Sequence, residues 1–386
     1  MSVETVTLGC RLNFAESETI ARSAPTDEDW IVVNSCAVTN EAVRQTRQAI
    51  RRAHRQRPTA NILVTGCASE LDPAAFAAMP GVSRVVGNAS KLSSLAANDV
   101  MAPAGLLANV KSFVAVQTGC DHRCTFCSIW QARGASVSLP FEAIRDAVAR
   151  EIDRGAKEIV LTGVDITDYT GGLGMLCQRL LSAEPRLSRL RLSSLDSIEI
   201  DDALFELIAG EPRLMPHFHL SLQSGDDIIL KRMKRRHSRG DAVRIVERIK
   251  TVRPDASIGA DLIAGFPTET EEMALNSLRL LVDCNIIAAH VFPFSPRPDT
   301  PASRMPQLPP ELVKARAAGL RDAAAKRRAQ WLKGMVGSTQ PILVEGDGVG
   351  HTDNFAPVAI AGARRGQSGR ARITGSDGGH LTAVWA

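Results

Sequence analysis

The stretch TGCDHRCTFCSIW, Thr118 to Trp130, packs Cys120, Cys124 and Cys127 into eight residues of a 386-residue chain that holds eight cysteines in all. Three thiolates on one tight loop can each bind a different iron of a cubane 4Fe-4S cluster, for which thiolate is the required ligand. The fourth iron is then left open to a small chelating molecule, as in catalytic rather than closed metal sites. Zinc would want a fourth Cys or His close by, for which His122 is the nearby candidate, and a purely structural thiol cluster is the plain alternative.

Outward from this loop the chain reads as alternating strands and helices. The strand-like KSFVAVQ (111–117) precedes it. EIVLTG (158–163), RLRLSSL (189–195), HFHLSLQ (217–223), SIGADLIAG (257–265) and IIAAHVFPF (286–294) follow, separated by helical stretches such as PFEAIRDAVAREIDRG and DAVRIVERIKTV. Six β/α units predict a partial barrel, with chemistry at the carboxyl ends of the strands. Cys177 and Cys284 fall in predicted helices among leucines and valines and read as core.

Upstream, VTLGC, WIVVNSC and NILVTGC each end in a cysteine, Cys10, Cys36 and Cys67, at spacings of 26 and 31 residues. Each suits one strand-helix unit, so the three thiols are expected along the carboxyl edge of a parallel sheet, where open α/β sheets bind ligands. Isolated cysteines at strand ends are otherwise small buried hydrophobes. The helix starting near Thr39 lines up Arg44, Arg47, Arg51 and Arg55 on one face. The small-residue segment 89–109 reads as a linker. After a Pro-rich stretch, a basic helix (about Glu311 to Lys333) leads into short strands broken by Gly, Asp and Asn, a small all-β barrel. The fold class is therefore α/β, with expected domains at 1–100, 108–333 and 336–386.

Composition excludes some classes. Hydrophobic residues make up 44% and charged ones 23%, so a folded chain is expected. No apolar run is long enough to span a membrane and MSVETVTLGC lacks signal-peptide features, so a cytoplasmic location and no membrane partner are expected.

Cys120, Cys124 and Cys127 in a six-unit barrel resemble the signature of radical S-adenosylmethionine enzymes. GADLIAGFPTE (Gly259 to Glu269) and LTGVD (161–165) are similar to segments that meet the adenosine and methionine moieties. The resemblance implies S-adenosylmethionine contacts at Phe126, Thr162, Gly163, Gln223, Ile263 and Gly265. LGCRLNFAESE, VNSCAVTNEA and VTGCASE resemble the amino-terminal domain of methylthiotransferases within that superfamily. There, Cys10, Cys36 and Cys67 are implied to hold a second 4Fe-4S cluster that handles sulfur. The tail resembles the RNA-binding TRAM domain.

The family acts on threonylcarbamoyladenosine or isopentenyladenosine in tRNA, or on an aspartate of a ribosomal protein. TLGCRLNFAES, LTGVDIT and FHLSLQSGDDIILKRMKRRHSR are similar to the first branch. The isopentenyl branch typically has Gln-Met after the first cysteine and the protein-modifying branch Pro-Lys, where this chain has Arg11 and Leu12. The implied reaction replaces the hydrogen on carbon 2 of adenine by a methylthio group and consumes S-adenosylmethionine twice. No general acid or base is expected beyond the cluster ligands. Implied partners are the tRNA anticodon loop and an electron donor such as flavodoxin or ferredoxin, with the enzyme a monomer. A non-catalytic iron-sulfur RNA-binding protein is the rival of another class.

Basic runs agree with RNA: six Lys/Arg within Lys231 to Arg239, eight against two acids in 301–340, and Arg364, Arg365, Arg370 and Arg372 on one expected loop. A solvated face is the plain alternative for each. After Cys127 the sequence departs from the family pattern: Arg133 and Gly134 are kept, while Trp130 and Val137 replace the usual residues.

Overall fold

The computed structural model describes residues 3–23, 28–89 and 110–386; the expected linker at 89–109 lies almost wholly outside them. In the first unit, β1 (Val3–Thr7), β2 (Trp30–Ser35), β3 (Asn61–Gly66) and β4 (Val82–Val86) form one parallel sheet in that spatial order. The central strands β2 and β3 are largely buried on both faces, as inner parallel strands require, while the edge strands β1 and β4 are partly exposed. β4 is the strand that sequence reading missed, because VSRVV is short and no cysteine follows it. The helices Arg11–Ser23 and Asn40–Gln56 begin directly beyond Cys10 and Thr39. Thr39 Oγ1 caps the second by accepting from Ala42 N at 3.1 Å.

The six central units are present as parallel strands in two arcs. β5 (Lys111–Ala115), β8 (Glu158–Thr162) and β9 (Leu190–Leu192) make one; β10 (Ser194–Leu195), β11 (His217–Gln223), β12 (Ser257–Ala264) and β13 (Ile286–Pro293) make the other. The arcs part at Ser193. A short antiparallel pair, β6 (Gln117–Thr118) and β7 (Val137–Ser138), clamps the two ends of the cysteine loop. Period-two alternation divides each strand. Ile159, Leu161, Leu190, Leu192, Phe218, Leu220, Ile258 and Leu262 face outward into the main core under the helices. Lys111, Phe113, Glu158, Arg191, His217, His219 and Asp261 therefore line the lumen. Cys177 and Cys284 are fully buried in that core, Cys284 as the residue that caps the helix Glu271–Asp283 rather than inside it.

The tail is a closed barrel of β14 (Thr339–Gly346), β15 (Val349–Thr352), β16 (Pro357–Ile360), β17 (Ser368–Ser376) and β18 (Leu381–Trp385). The four arginines expected on one loop divide: Arg364 and Arg365 lie in a turn, whereas Arg370 and Arg372 alternate with buried Ala371 and Ile373 on the outer face of β17. The strand continues through them because every second residue is apolar.

This small barrel plugs the amino end of the central one. Phe355 stacks on His217, with centroids 5.0 Å apart, and Lys111 and Arg191 each sit 4.8 Å from its ring. Lys111 Nζ reaches Glu345 at 2.6 Å, and Ser257 Oγ donates to Asn354 O at 2.6 Å. At the centre, buried Glu158 takes Arg191 Nε at 2.7 Å and Arg189 Nε at 3.0 Å. Burial pushes its carboxyl up, but Arg191, Lys111 and Arg189 outweigh this and hold it well below the usual range.

Replacing Glu158 by Gln should lower the urea unfolding free energy at pH 7 by about 3–5 kcal/mol, because Arg191 is then buried without its counter-charge. A group with a depressed folded pKa stabilises fully above its unfolded pKa of about 4.3, so the gap between wild type and variant should narrow only in more acidic solution. A loss under about 1 kcal/mol at pH 7 would contradict this.

Candidate active site

Cys36 and Cys67 lie at the carboxyl ends of β2 and β3, and Cys10 just beyond β1, so the parallel sheet brings the three together. Gly9 has φ +96, and any side chain there would meet Cys36 Sγ at 2.7 Å. Burial pushes the Cys36 thiol up to about 11, and the neighbouring Cys67 and Cys10 add to the rise.

The second triplet sits on the loop after β6. Gly119, at φ +75, allows the chain to pass the Ala135 carbonyl, and Cys120 N donates to Gly134 O at 3.1 Å. Burial raises Cys120 to about 12 and Cys127 to about 11, with the other thiols of the set contributing. Ile129 N donates to Cys127 Sγ at 3.3 Å, and Arg133 in the same short helix donates to Cys67 Sγ, so this helix links the two triplets.

Arg133 makes the link. It belongs to the short helix Ile129–Arg133 behind Cys127, yet its side chain is buried in the amino-terminal unit. Nε donates to Cys67 Sγ at 3.2 Å, and the other nitrogens reach Glu16 Oε1 at 2.6 Å, Glu16 Oε2 at 3.1 Å, Asn13 Oδ1 at 2.7 Å and Thr118 Oγ1 at 3.2 Å. Asn13 in turn donates to Leu8 O at 2.7 Å and Ser35 O at 3.0 Å, tying the turns that carry Cys10 and Cys36 to the same guanidinium. Burial disfavours the charge, but Cys67 and Glu16 reverse this and hold the guanidinium pKa well above its ordinary value.

Within the basic run Lys231 to Arg239, Lys231, Lys234 and Arg236 are exposed, whereas Arg235 is turned inward. Arg235 donates to Asp196 Oδ2 and Ser221 O, both at 2.9 Å, and lies 3.7 Å from Cys124 Sγ. Arg232 bonds Thr268, Arg236 pairs with Glu199 at 2.7 Å and Arg239 with Asp283. Thr125 N donates to Met233 O at 3.1 Å, so this segment anchors the cysteine loop. Nothing in the residue types distinguishes Arg235 from a solvated patch; an acid far off in sequence turns it inward.

Among the residues expected at S-adenosylmethionine, Phe126 and Ile263 share one apolar cluster with Phe266 and Met233. Thr162 ends β8, and Gln223 ends β11 with φ +66. Gly163 is pressed on Gln117, whose Oε1 accepts from Val164 N and Asp165 N while its Nε2 donates to Gly119 O. Gln117 thus pins the LTGVD turn to the cysteine loop. Gly265, at φ +73, has Val313 of the helix Pro310–Gly334 against it, so helix packing already requires a glycine there. His122 Nε2 lies 2.9 Å from Asp165 Oδ2, a contact that raises the histidine pKa.

All six thiols are free, each triplet shares one loop or one sheet edge, and each has a guanidinium against one sulfur. That is the donor set a thiolate-held iron-sulfur cluster needs, and the residues fit two such groups.

Residues 114–281 match the model of the Radical SAM superfamily and residues 2–87 that of Uncharacterized protein family UPF0004. The chain is 41% identical over 407 residues, 99% of its own length and 97% of the relative's, to the threonylcarbamoyladenosine tRNA methylthiotransferase MtaB of Rickettsia prowazekii (strain Madrid E). It is 32% identical, covering 88% of itself and 85% of the relative, to the tRNA-2-methylthio-N(6)-dimethylallyladenosine synthase of Erythrobacter litoralis (strain HTCC2594). The solved radical S-adenosylmethionine methyltransferase TsrM from Kitasatospora setae shares the fold alone, with TM-score 0.53 and 14% identity over 73% of this chain and 66% of that one. The chain belongs to the radical S-adenosylmethionine methylthiotransferase family, whose cofactors are two 4Fe-4S clusters and S-adenosylmethionine.

Arg133→Met should destabilise the protein by about 3–5 kcal/mol, since the buried Glu16 carboxylate loses the guanidinium that offsets its charge. Adding Glu16→Gln should recover more than half of that loss in urea unfolding. A single variant no less stable than the double would contradict the pairing.

Proposed function

We propose that this enzyme adds a methylthio group to carbon 2 of N6-threonylcarbamoyladenosine at position 37 of tRNA, next to the anticodon. Cys10, Cys36 and Cys67 would hold one 4Fe-4S cluster, and Cys120, Cys124 and Cys127 the other. The observation that carries this reading is the short helix Ile129–Arg133, whose first N–H meets Cys127 Sγ and whose Arg133 guanidinium meets Cys67 Sγ. A sulfur held by the first triplet and a radical generated at the second must meet at one carbon, and the space between them is the place where both can reach it.

When bound, the clusters and S-adenosylmethionine supply the sulfur and the radical chemistry. The chain's own residues orient and enclose. Phe126 and Ile263 offer an apolar wall; Thr162, Gly163, Gln223 and Gly265 lie at the carboxyl ends of strands. Arg133 and Arg235 offset the negative charge that a thiolate-bound cluster brings into a buried site.

The choice of threonylcarbamoyladenosine rests on the name of the Rickettsia relative and on Arg11-Leu12 after the first cysteine. The RNA would meet exposed arginines: Arg51, Arg52 and Arg55 on the helix Asn40–Gln56 and Arg372 on β17. Arg44 and Arg47, expected on the same face, are already paired with Glu41 and Asp72. An unpaired anticodon-loop base can be splayed out of its stack into this space. A monomer reduced by a flavodoxin or ferredoxin completes the reading. Among the described residues, no helix is long and apolar enough to cross a membrane.

Digests of tRNA from a deletion strain should lack the 2-methylthio derivative of threonylcarbamoyladenosine while keeping the unthiolated nucleoside; an unchanged profile would refute the assignment. Anaerobically reconstituted protein should hold about eight irons, four per cluster. Cys127→Ala should retain about four and form no 5'-deoxyadenosine, whereas Cys67→Ala should cleave S-adenosylmethionine without methylthiolating tRNA.

A further inference from the structure

The lumen of the central barrel contains a guanidinium whose donors are unused among the described residues. The helix Arg11–Ser23 lies across the inner face of β5, with the Phe14 and Phe113 rings 6.4 Å apart. This closes the open seam of the partial barrel with a piece of the amino-terminal unit. Arg11, the first residue of that helix, is half-buried and makes no hydrogen bond or ion pair among the described residues. Three residues before Phe14, it shares the helix face that meets Phe113, on the side of Arg191, Glu158 and Asp261, inner-face residues of β9, β8 and β12.

Both nearby carboxylates are already engaged. Glu158 is held by Arg191 and Arg189. Asp261 Oδ1 takes His219 Nε2 at 2.9 Å and His290 Nδ1 at 3.2 Å, and the two rings lie 4.5 Å apart. Asp261 Oδ2 makes no hydrogen bond among the described residues, and the His290 side chain is 60% exposed, so the lumen opens to solvent there. An enclosed guanidinium, a free carboxylate oxygen and two imidazoles thus face one solvent-connected space. A partly desolvated guanidinium with unused donors gains most from a carboxylate, which can take two of its N–H groups in parallel.

We propose that Arg11 binds the carboxylate of the threonylcarbamoyl group on the substrate adenine, with Asp261 accepting from the hydroxyl or an N–H of the same side chain. The proposal rests on the substrate reading above and adds the residue that makes the lumen select an acidic modification over an apolar one. Arg11 also occupies the position after Cys10 at which the sequence departs from the Gln-Met and Pro-Lys patterns.

The test uses reconstituted enzyme and three synthetic anticodon stem-loops carrying at position 37 threonylcarbamoyladenosine, its threoninamide analogue, or isopentenyladenosine. Wild type should prefer acid over amide in kcat/KM by about ten- to hundredfold, the range of one charge-assisted hydrogen bond. Arg11→Gln should bring that ratio near one through a raised KM for the acid, Arg11→Lys should keep part of it, and the iron content of both variants should match wild type. Equal treatment of acid and amide by wild type, or an unchanged ratio in Arg11→Gln, would overturn the role of Arg11 while leaving the substrate reading intact. A wild-type enzyme that thiolates the isopentenyl RNA and neither threonyl RNA would overturn the substrate reading and the proposal together.

Discussion

The contact on which the rest of the site depends is the guanidinium of Arg133, buried between Glu16, Asn13 and Cys67. A buried charge is tolerated only where its donors are met, and here they are met by groups from a different folding unit. The cysteine loop of the barrel and the sheet edge that carries Cys10, Cys36 and Cys67 are therefore fixed to one another by chemistry that neither unit could satisfy alone. Asn88 Nδ2, donating to Ala132 O at 2.7 Å, and Asn40 Oδ1, accepting from Arg297 at 2.6 Å, add further hydrogen bonds between the same two units.

The central barrel is held from both ends by different means. At the amino end of its strands, Glu158 with Arg189 and Arg191, together with Phe355, makes a desolvated ionic and aromatic plug against the small barrel. At the carboxyl end, Gln117, Thr125 and Arg235 hold the cysteine loop through backbone and carboxylate hydrogen bonds. Barrels of this kind keep stability at the one face and chemistry at the other. The middle of the lumen, where Arg11 and Asp261 lie, belongs to neither support and is free to read a ligand.

Much of this was legible in the residues. Period-two apolar runs located all six barrel strands, and the cysteine after each of the first three strands located the sheet edge, because parallel βαβ units leave no other arrangement. β4 escaped, since VSRVV has no cysteine to mark it. Arginine roles were the least legible: within a run that read as a phosphate patch, Arg235 is drawn inward by Asp196, 39 residues away, whereas Arg236 pairs with Glu199 and stays exposed. A charge run states composition, and only the fold supplies its partners. Glu16 and Asn13 were invisible for the same reason, lying within a helix that sequence alone would leave solvated on that face.

The central claim is that the two thiol triplets form one reaction space. It is tested most directly by electron paramagnetic resonance of the reconstituted enzyme with both clusters reduced. The account predicts a spectrum broadened and split by magnetic interaction between the clusters, reverting to a single simple signal in Cys67→Ala. A spectrum equal to the sum of two isolated clusters, from which Cys67→Ala subtracts one component and leaves the other unchanged in shape, would contradict it.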